Sequence, residues 1–367
     1  MQNEKILTTN RQTLRNGNIE ILRFIFCCLI IGLHYCEQFG YFGLLTFRGG
    51  YLGVEFFFTI TGAFLGKSIS ENKYDVSNSE LFAFSRKSII RKFLSVFPFY
   101  AVSTIIAFVI KTISASSVKT SIVSLTALPM DLFMLLNYGL GGYSFTGILW
   151  FLSSMFFALM ILYPIALKYY SIYTKYYSIL VFLVSMGLVM TNFGTFNVPN
   201  KYIGILNTGF LRAIAMISIG MFIYELSVVI NKHNFSRLFI TIIEILLYLY
   251  TFLYMIFLQE IEDLEIGMTT ALLSMLIAVT ITLSKKSLFY EKLDNSFVRS
   301  LGKSTLVLFM NHMYWFYNID NLLKLLGINL NEAVKIIVLI VLIIVSSSIS
   351  YYFGNRLKQF IFRKLNI

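Results

Sequence analysis

Long apolar stretches separated by short polar segments recur along the whole chain. Each has roughly the 17 to 25 residues that an α-helix needs to cross a lipid bilayer. Helices are expected because every backbone polar group must find its partner inside the segment. The pattern predicts ten spanning helices, at 19–38, 50–66, 93–111, 146–168, 176–193, 203–224, 238–258, 267–284, 301–319 and 335–354. Residues 121–140 are apolar but contain Pro129 and Asp131, which favours a re-entrant or interfacial segment.

This pattern is typical of an all-α, polytopic integral membrane protein. We expect one membrane domain over residues 1–367, with a short N-terminal segment at 1–18 and a C-terminal tail at 355–367. Of the 30 lysines and arginines, 22 fall in segments that a cytoplasmic N-terminus and ten helices place inside, and 6 fall outside. Because cytoplasmic loops carry an excess of basic residues, both termini are predicted to be cytoplasmic.

Composition supports the membrane assignment and removes one competing interpretation. Hydrophobic residues make up 57% of the chain and charged residues 13%, about half the charge of a soluble domain. A net charge of +12 would suggest nucleic-acid binding in a soluble protein. Here the basic cytoplasmic segments account for it, so we expect membrane lipid and no nucleic acid among the partners.

The first predicted helix carries ionisable residues on one face. Arg23 and His34 are eleven residues apart, which corresponds to about three turns and roughly 16 Å along a helix axis. Ionisable groups inside a membrane usually face a bundle interior or a water-filled cavity and mark functional sites. His34 suits general acid–base chemistry, and Glu37, three residues later, is placed to orient its ring. The competing interpretations are an interfacial histidine and a snorkelling arginine.

The second predicted helix contains a carboxylate, Glu55, within an apolar run. A charge at this depth is costly unless it is paired. From the sequence we expect a buried partner such as Arg23 or His34. The glycines of this segment are expected to let neighbouring helices approach closely.

A basic segment precedes the third predicted helix and contains Arg86, Lys87, Arg91 and Lys92. The charge bias places it in a cytoplasmic loop. It is a candidate site for an anionic group such as a nucleotide phosphate. An ordinary positive loop in contact with acidic lipids explains the same pattern.

Three further residues are candidates for lining a cavity. Trp150 opens the fourth predicted helix, where an aromatic residue is often only an interfacial anchor. Asn311 and His312 are polar residues within the ninth predicted helix. They are either hydrogen-bonded core residues or part of the same cavity as His34. The three histidines are far apart in sequence and no metal-ligand cluster is present, so no metal site is predicted.

Taken together and in this order, the motifs resemble those of acyltransferase family 3, the integral-membrane O-acyltransferases of bacterial surface glycans. That family has an arginine, ten residues and a histidine in its first helix, as from Arg23 to His34. Its second helix carries an acid, aromatics and a Ser-Gly pair, as in GVEFFFTITG, where Thr61 replaces the serine and keeps the hydroxyl. Ser95 stands where the family often has a second arginine.

The later motifs also follow the family's order. A basic pair precedes Pro98, a Trp-Phe-Leu run from Trp150 leads to a Tyr-Pro pair, and His312 stands in a late helix. The resemblance covers nearly the whole chain.

The resemblance implies transfer of an acyl group, usually acetyl, from cytoplasmic acetyl-CoA to a hydroxyl of an extracytoplasmic or lipid-linked glycan. Acyl-CoA would be a co-substrate, and no permanently bound cofactor is expected. The implied catalytic residues are His34, Arg23 and Glu37, with His34 acting as a base or as a transient acyl carrier. Residues 86–92 would hold the donor phosphates. Glu55, Thr61, Trp150, Asn311 and His312 would line the cavity. The implied location is the bacterial cytoplasmic membrane.

Two other functions fit the membrane character of the chain. One is a transporter or flippase of a lipid-linked sugar or small anion. The other is a glycan polymerase, which the short outer loops disfavour. A transporter should keep its function when His34 is replaced by a residue of similar size, whereas an enzyme should not.

Overall fold

The computed structural model describes residues 16–40, 43–72, 77, 79–115, 118–134, 144–257, 264–293 and 295–365. Within these ranges the chain is almost entirely α-helical. The helices are α1 Gly17–Phe39, α2 Leu52–Asn72, α3 Leu81–Ile113, α4 Val118–Leu132, α5 Leu149–Ile172, α6 Ser178–Phe193, α7 Thr208–Lys232, α8 Arg237–Ile256, α9 Leu264–Ser284, α10 Phe289–Lys292, α11 Ser296–Asn311, α12 Met313–Leu325 and α13 Glu332–Lys364. A 3₁₀ turn at Arg48–Tyr51 precedes α2.

One small β-ladder precedes α7 in this part of the chain. Strand β1 (Tyr202–Ile203) pairs antiparallel with β2 (Leu206–Asn207), with Tyr202 opposite Asn207. The side chain of Asn207 then caps α7 by accepting from the backbone N–H of Phe210 at 3.3 Å. Asparagine is a favoured N-cap because its side-chain oxygen satisfies an otherwise unpaired N–H.

Eight helical segments of the described chain are long and apolar enough to cross a membrane. They are Gly17–Phe39, Arg48–Asn72, Leu81–Ile113, Leu149–Phe193, Thr208–Lys232, Arg237–Ile256, Ile266–Ser284 and Glu332–Lys364. The all-α, polytopic membrane class predicted from the hydrophobic pattern is therefore confirmed. The number of crossings and the side of the membrane that holds each terminus stay predictions.

Two features explain why the described chain has eight long apolar segments although ten spanning helices were predicted. The 45-residue segment Leu149–Phe193 covers two predicted helices, with a non-helical Tyr169 and a π-helical turn at Tyr173–Tyr177 between them. Both α5 and α6 pack against α7, which has 25 residues. A straight helix of 45 residues would be about 67 Å long, too long for both halves to contact α7. The second feature is an interruption of the predicted helix 301–319 at His312, between α11 and α12.

Other element boundaries also differ from the predicted ones. The basic segment before residue 93 is not a loop, because α3 begins at Leu81 and carries these residues in its first turns. The interrupted stretch 121–140 contains α4, a 15-residue helix with Pro129 inside it, and residues 135–140 lie outside the described part. Helix α13 continues to Lys364, so residues 355–364 are helical.

Helix α7 lies at the centre of the bundle, in contact with α2, α5, α6 and α9. It packs most closely on α2, because both helices have a glycine at the crossing. A Cβ atom on Gly62 would lie 2.0 Å from the carbonyl oxygen of Ile217, and one on Gly220 would lie 2.2 Å from that of Thr59. Small residues at membrane helix crossings let backbones approach in this way. The crossing fixes which side chains of α2 and α7 face each other.

Candidate active site

His34 lies near the C-terminal end of α1 and is held by Glu37. The ring nitrogen Nδ1 lies 3.0 Å from Glu37 Oε2, and the two side chains are 25% and 47% exposed. A carboxylate only accepts hydrogen bonds, so Nδ1 carries the proton that is donated to it. In the neutral ring this leaves the lone pair on Nε2, which is the form that accepts a proton from a substrate. The contact between residues three apart in α1 is the one expected from the sequence.

His312 packs against the face of the His34 ring. The ring centroids are 5.4 Å apart and the ring planes are 22° from parallel. His312 itself is fully buried, with the rings of Phe309 and Phe316 at 5.8 and 5.7 Å. Neither of its nitrogens makes a good hydrogen bond within the described residues, although the carbonyls of Leu308 and Phe309 interact with the ring. The contact therefore places a second imidazole directly behind the first.

Asn311 lies among polar groups, whereas its neighbour His312 lies among aromatic rings. Its amide nitrogen donates to Ser103 Oγ of α3 at 3.1 Å and to the carbonyl of Val307 at 2.6 Å. Its amide oxygen accepts from the hydroxyls of Tyr314 at 2.6 Å and Ser350 at 3.1 Å. The amide is fully buried and hydrogen-bonded at both ends. Of the two interpretations that the sequence left open for Asn311, a hydrogen-bonded core residue fits this arrangement.

Glu55 is paired with Arg212, a residue of α7. The guanidinium donates from Nε to Oε1 at 2.6 Å and from Nη2 to Oε2 at 2.7 Å. Glu55 is fully buried and Arg212 is 1% exposed. The expectation that Arg23 or His34 would pair with Glu55 is therefore wrong. The partner comes from α7 because the glycine crossing described above brings α7, rather than α1, against this face of α2.

The sequence contained a signal for Arg212 that the motif comparison passed over. Arg212 is the one charged residue of the predicted span 203–224. A buried arginine and a buried carboxylate in two apolar helices are natural partners, because each is costly alone. A search for charged residues inside the predicted spans would therefore have indicated Glu55 and Arg212 as partners.

Trp150 belongs to the same cluster. The Arg212 guanidinium carbon lies 5.2 Å from the centre of the Trp150 ring, within the range of a cation–π contact. Thr61 lies six residues after Glu55 in α2, and its hydroxyl contacts the sulfur of Met155 in α5 at 3.8 Å. Trp150 thus supports the ion pair, whereas Thr61 lies at the α2–α5 contact.

A row of aromatic rings connects the ion pair to the histidines. The centroid of Phe151 lies 6.4 Å from that of Trp150 and 5.5 Å from that of Phe309. Phe309 in turn contacts His312 at 5.8 Å. Packed aromatic rings of this kind hold one another in place. The orientation of His34 is therefore supported by the same core that buries Glu55 and Arg212.

A basic cavity lies at the opposite end of α1 from His34. It has a volume of about 350 Å³ and is lined by Arg91 and Lys92 of α3 and Lys358 of α13, with Ser88, Ser95 and Phe362. Lys92 is close enough to Arg23 for their charges to interact. We call Arg23, Arg91, Lys92 and Lys358 the basic cluster. It concentrates positive charge around a space that can hold an anionic group.

Only two of the four basic residues that the sequence analysis grouped together line this cavity. Arg91 and Lys92 line it, whereas Arg86 and Lys87 are exposed and are not among its lining residues. Lys358 was not foreseen as part of it. Helix α13 reaches the site because Gly354 allows close approach: a Cβ atom there would lie 2.6 Å from the ring of Phe99. Lys358, one turn later, lies 5.8 Å from the centre of that ring.

Arg23 has a partner on its own helix. Its Nη1 donates to Glu20 Oε1 at 3.3 Å, and its guanidinium carbon lies 5.3 Å from the centre of the Phe64 ring. Arg23 is 28% exposed and Glu20 is almost fully buried. Arg23 and His34 thus mark two separate places along α1, one in the basic cluster and one beside His312. Among the described residues no group of His, Cys, Asp and Glu side chains could hold a metal ion.

A family model matches the chain over most of its length. The family model described as an acyltransferase domain matches residues 16–352, nearly the whole chain. No curated protein and no solved structure matches the sequence or the fold.

Proposed function

The chain belongs to the acyltransferase domain family, and from that premise we propose that it moves an acyl group from acyl-CoA to a hydroxyl of a glycan. The donor is cytoplasmic acyl-CoA, with acetyl as the acyl group. The acceptor is an extracytoplasmic or lipid-linked glycan. The location that follows is the bacterial cytoplasmic membrane. The observation that carries the proposal is that one helix, α1, carries Arg23 beside the basic cavity of α3 and α13 and, about three turns later, the His34 imidazole held by Glu37.

The basic cluster is the proposed site for the donor. Coenzyme A carries phosphates on a nucleotide and a thioester at the end of a long flexible arm. The cavity of about 350 Å³ is surrounded by the cationic side chains of Arg91, Lys92 and Lys358. An arginine guanidinium can donate two parallel hydrogen bonds to two oxygens of one phosphate. With the phosphates held there, the arm extends along α1 from Arg23 toward His34, which lies about 16 Å from Arg23 along the helix axis. In this proposal Arg23 lies beside the donor, next to Lys92.

His34 is the proposed catalytic residue. As a general base, its Nε2 takes the proton of the acceptor hydroxyl while the hydroxyl oxygen attacks the thioester carbonyl. The carbon–sulfur bond then breaks, and the imidazolium returns the proton to the leaving thiolate. As an acyl carrier, Nε2 attacks the carbonyl, the carbon–sulfur bond breaks and the thiolate leaves; the acceptor hydroxyl then displaces the imidazole, and the hydroxyl proton passes to the thiolate. Both routes need Nδ1 fixed, and the carboxylate of Glu37 fixes it.

Glu55 and Arg212 are proposed to shape the cavity around this reaction rather than to take part in it. Their charges already satisfy each other through two hydrogen bonds. The row of aromatic rings that starts at Trp150 packs against His312, which in turn packs against His34. The ion pair therefore helps to fix the position of His34. Precise positioning of reacting groups contributes strongly to catalysis.

Mass analysis of surface glycans tests the proposal as a whole. Glycans from bacteria that produce the chain should carry an ester-linked acyl group that mild alkali removes. Glycans from the same strain without the gene should lack it. Identical glycans in both strains, with the protein shown to be present in the membrane, would contradict the proposal. A transporter would instead change the amount of glycan at the surface without a new ester.

A further inference from the structure

A second cavity lies between α1, α8 and α10, away from the proposed reaction path. Its volume is about 300 Å³. Most of its wall is apolar and is formed by side chains such as Ile21, Ile245, Phe252 and Phe289. It lies beside the chain segment that contains Lys285, Lys286 and Lys292, at the end of the bundle where α1 begins. An apolar cavity at this position suits the chains of a lipid.

Two polar side chains in the lining of this cavity each have one buried oxygen to which no described residue donates a hydrogen bond. Asn18 of α1 and Glu244 of α8 are each 4% exposed. Within the described residues, Asn18 Oδ1 and Glu244 Oε2 have no hydrogen-bond partner. The other carboxylate oxygen, Oε1, accepts from Thr282 Oγ1 at 2.5 Å, and the Ser287 side chain also interacts with the same carboxylate. Leaving a buried acceptor unpaired is costly, so a ligand that donates hydrogen bonds here would be stabilised.

The chemistry of the two acceptors narrows the class of ligand. An amide oxygen and a carboxylate oxygen both need donors, and the carboxylate also favours a positive charge. A primary ammonium group supplies N–H donors and a positive charge together. Arg237 lies near Glu244, since its Nη2 donates to the carbonyl of Ser287 at 3.5 Å and the Ser287 side chain interacts with the Glu244 carboxylate. In the head group of an aminophospholipid, a phosphate is covalently linked to the group that carries the ammonium. The Arg237 guanidinium could bind that phosphate while the ammonium lies at Glu244.

We propose that this cavity binds an aminophospholipid, with the head-group ammonium on Asn18 and Glu244 and an acyl chain along the apolar wall. The phosphate of such a lipid would face Arg237. A lipid held there would join the beginning of α1 to α8 and α10. Since α1 carries both Arg23 and His34, the site would steady the helix on which the proposed reaction depends. The lipid site does not itself rest on the proposed reaction.

Lipid retention by the purified full-length protein tests the proposal. The protein in detergent is mixed with phosphatidylethanolamine, phosphatidylcholine or phosphatidylglycerol of identical acyl chains, and bound lipid is counted by native mass spectrometry. Phosphatidylethanolamine should be retained severalfold better than the other two. Phosphatidylcholine has a positive charge but no N–H, and phosphatidylglycerol has donors but no positive charge. Equal retention of all three lipids, or a preference for phosphatidylglycerol, would overturn the proposal.

Two variants and a control locate the site. Glu244→Gln should lower retention of phosphatidylethanolamine by about tenfold, the effect of losing a hydrogen bond to a charged group. Ile21→Trp should lower it as well, because the larger ring fills the apolar part and leaves the polar end intact. Glu71→Gln is the matched control, since Glu71 pairs with Lys67 at 3.7 Å and lies outside the cavity lining. Retention that is unchanged in both cavity variants would also overturn the proposal.

Discussion

Arg212 holds Glu55 through two parallel hydrogen bonds, from Nε to Oε1 at 2.6 Å and from Nη2 to Oε2 at 2.7 Å. Both side chains are shielded from solvent, and they join α7 to α2 next to Trp150. A buried pair of this kind is costly to break, because the remaining partner keeps its charge without compensation.

The first prediction follows from this pair. Glu55→Gln and Arg212→Gln should each destabilise the folded protein by about 3–5 kcal/mol, because each leaves one buried charge. The double variant should be more stable than the sum of the two losses predicts, because no unpaired charge remains. Thermal unfolding in detergent measures all three. Strictly additive losses would show that the two residues are energetically independent.

The control for this prediction uses Arg23, the partner that the sequence suggested. Arg23→Gln combined with Glu55→Gln should give additive losses, since Arg23 pairs with Glu20. Lys67→Gln, which breaks a partly exposed pair with Glu71, should cost no more than about 1 kcal/mol.

The second prediction concerns the stacked imidazoles. His312→Phe keeps a flat ring against His34 and should retain acyl transfer within about tenfold of the original rate, because stacking is worth about 0.5–1.5 kcal/mol. His312→Ala should lower both activity and stability, because it leaves a cavity behind His34. If His312→Phe is as inactive as a variant without His34, then a nitrogen of His312 takes part in the chemistry.

The third prediction concerns the donor. Replacing Arg91 and Lys92 together by glutamine should raise the KM for acetyl-CoA at least tenfold, with a larger effect at low salt, because screening weakens the charge attraction. Lys358→Gln should change KM in the same direction. The matched control is the double change of Arg86 and Lys87 to glutamine, which removes the same charge from exposed positions of the same helix. Equal effects of the two double variants would show that Arg91 and Lys92 do not bind the donor specifically and that the basic residues of this segment only set the orientation in the membrane.

The fourth prediction concerns the arrangement in the membrane. Single cysteines at Leu45 and Ile328 should react with an impermeant thiol reagent added from outside, and cysteines at His233 and Tyr290 should not. The starting protein must have Cys27, Cys28 and Cys36 replaced, since Cys28 is exposed. Labelling of position 290 from outside would overturn the ten-helix arrangement and would move His312 toward the opposite side.

Sequence reasoning succeeded where the relevant forces act within one segment. Lipid contact requires long apolar runs, so the membrane class could be predicted from the hydrophobic pattern. His34 and Glu37 meet because residues three apart share a helix face, which the spacing alone gives. The neighbouring Arg91 and Lys92 line one cavity for a similar local reason.

It failed where the answer depended on which helices pack together. The partner of Glu55 is chosen by the crossing at Gly62 and Gly220, and neither glycine indicates by itself which helix it will meet. Lys358 reaches the basic cluster from a helix more than 260 residues later than Arg91, and its local sequence resembles an ordinary basic tail. The separation of Asn311 from His312 depends on the hydrogen bonds that its amide makes with side chains of α3, α12 and α13, which the pattern within one segment does not contain.

Transfer of a labelled acetyl group by His34 variants tests the central claim most directly. Inverted membrane vesicles that contain the chain and its glycan are given acetyl-CoA labelled in the acetyl group, and the alkali-releasable label in the glycan is measured. His34→Ala and His34→Gln should lower transfer by roughly two to four orders of magnitude, because they remove the proton-transfer group, while the amount of folded protein stays unchanged. Transfer at the original rate by either folded variant would contradict the claim that His34 is the catalytic residue.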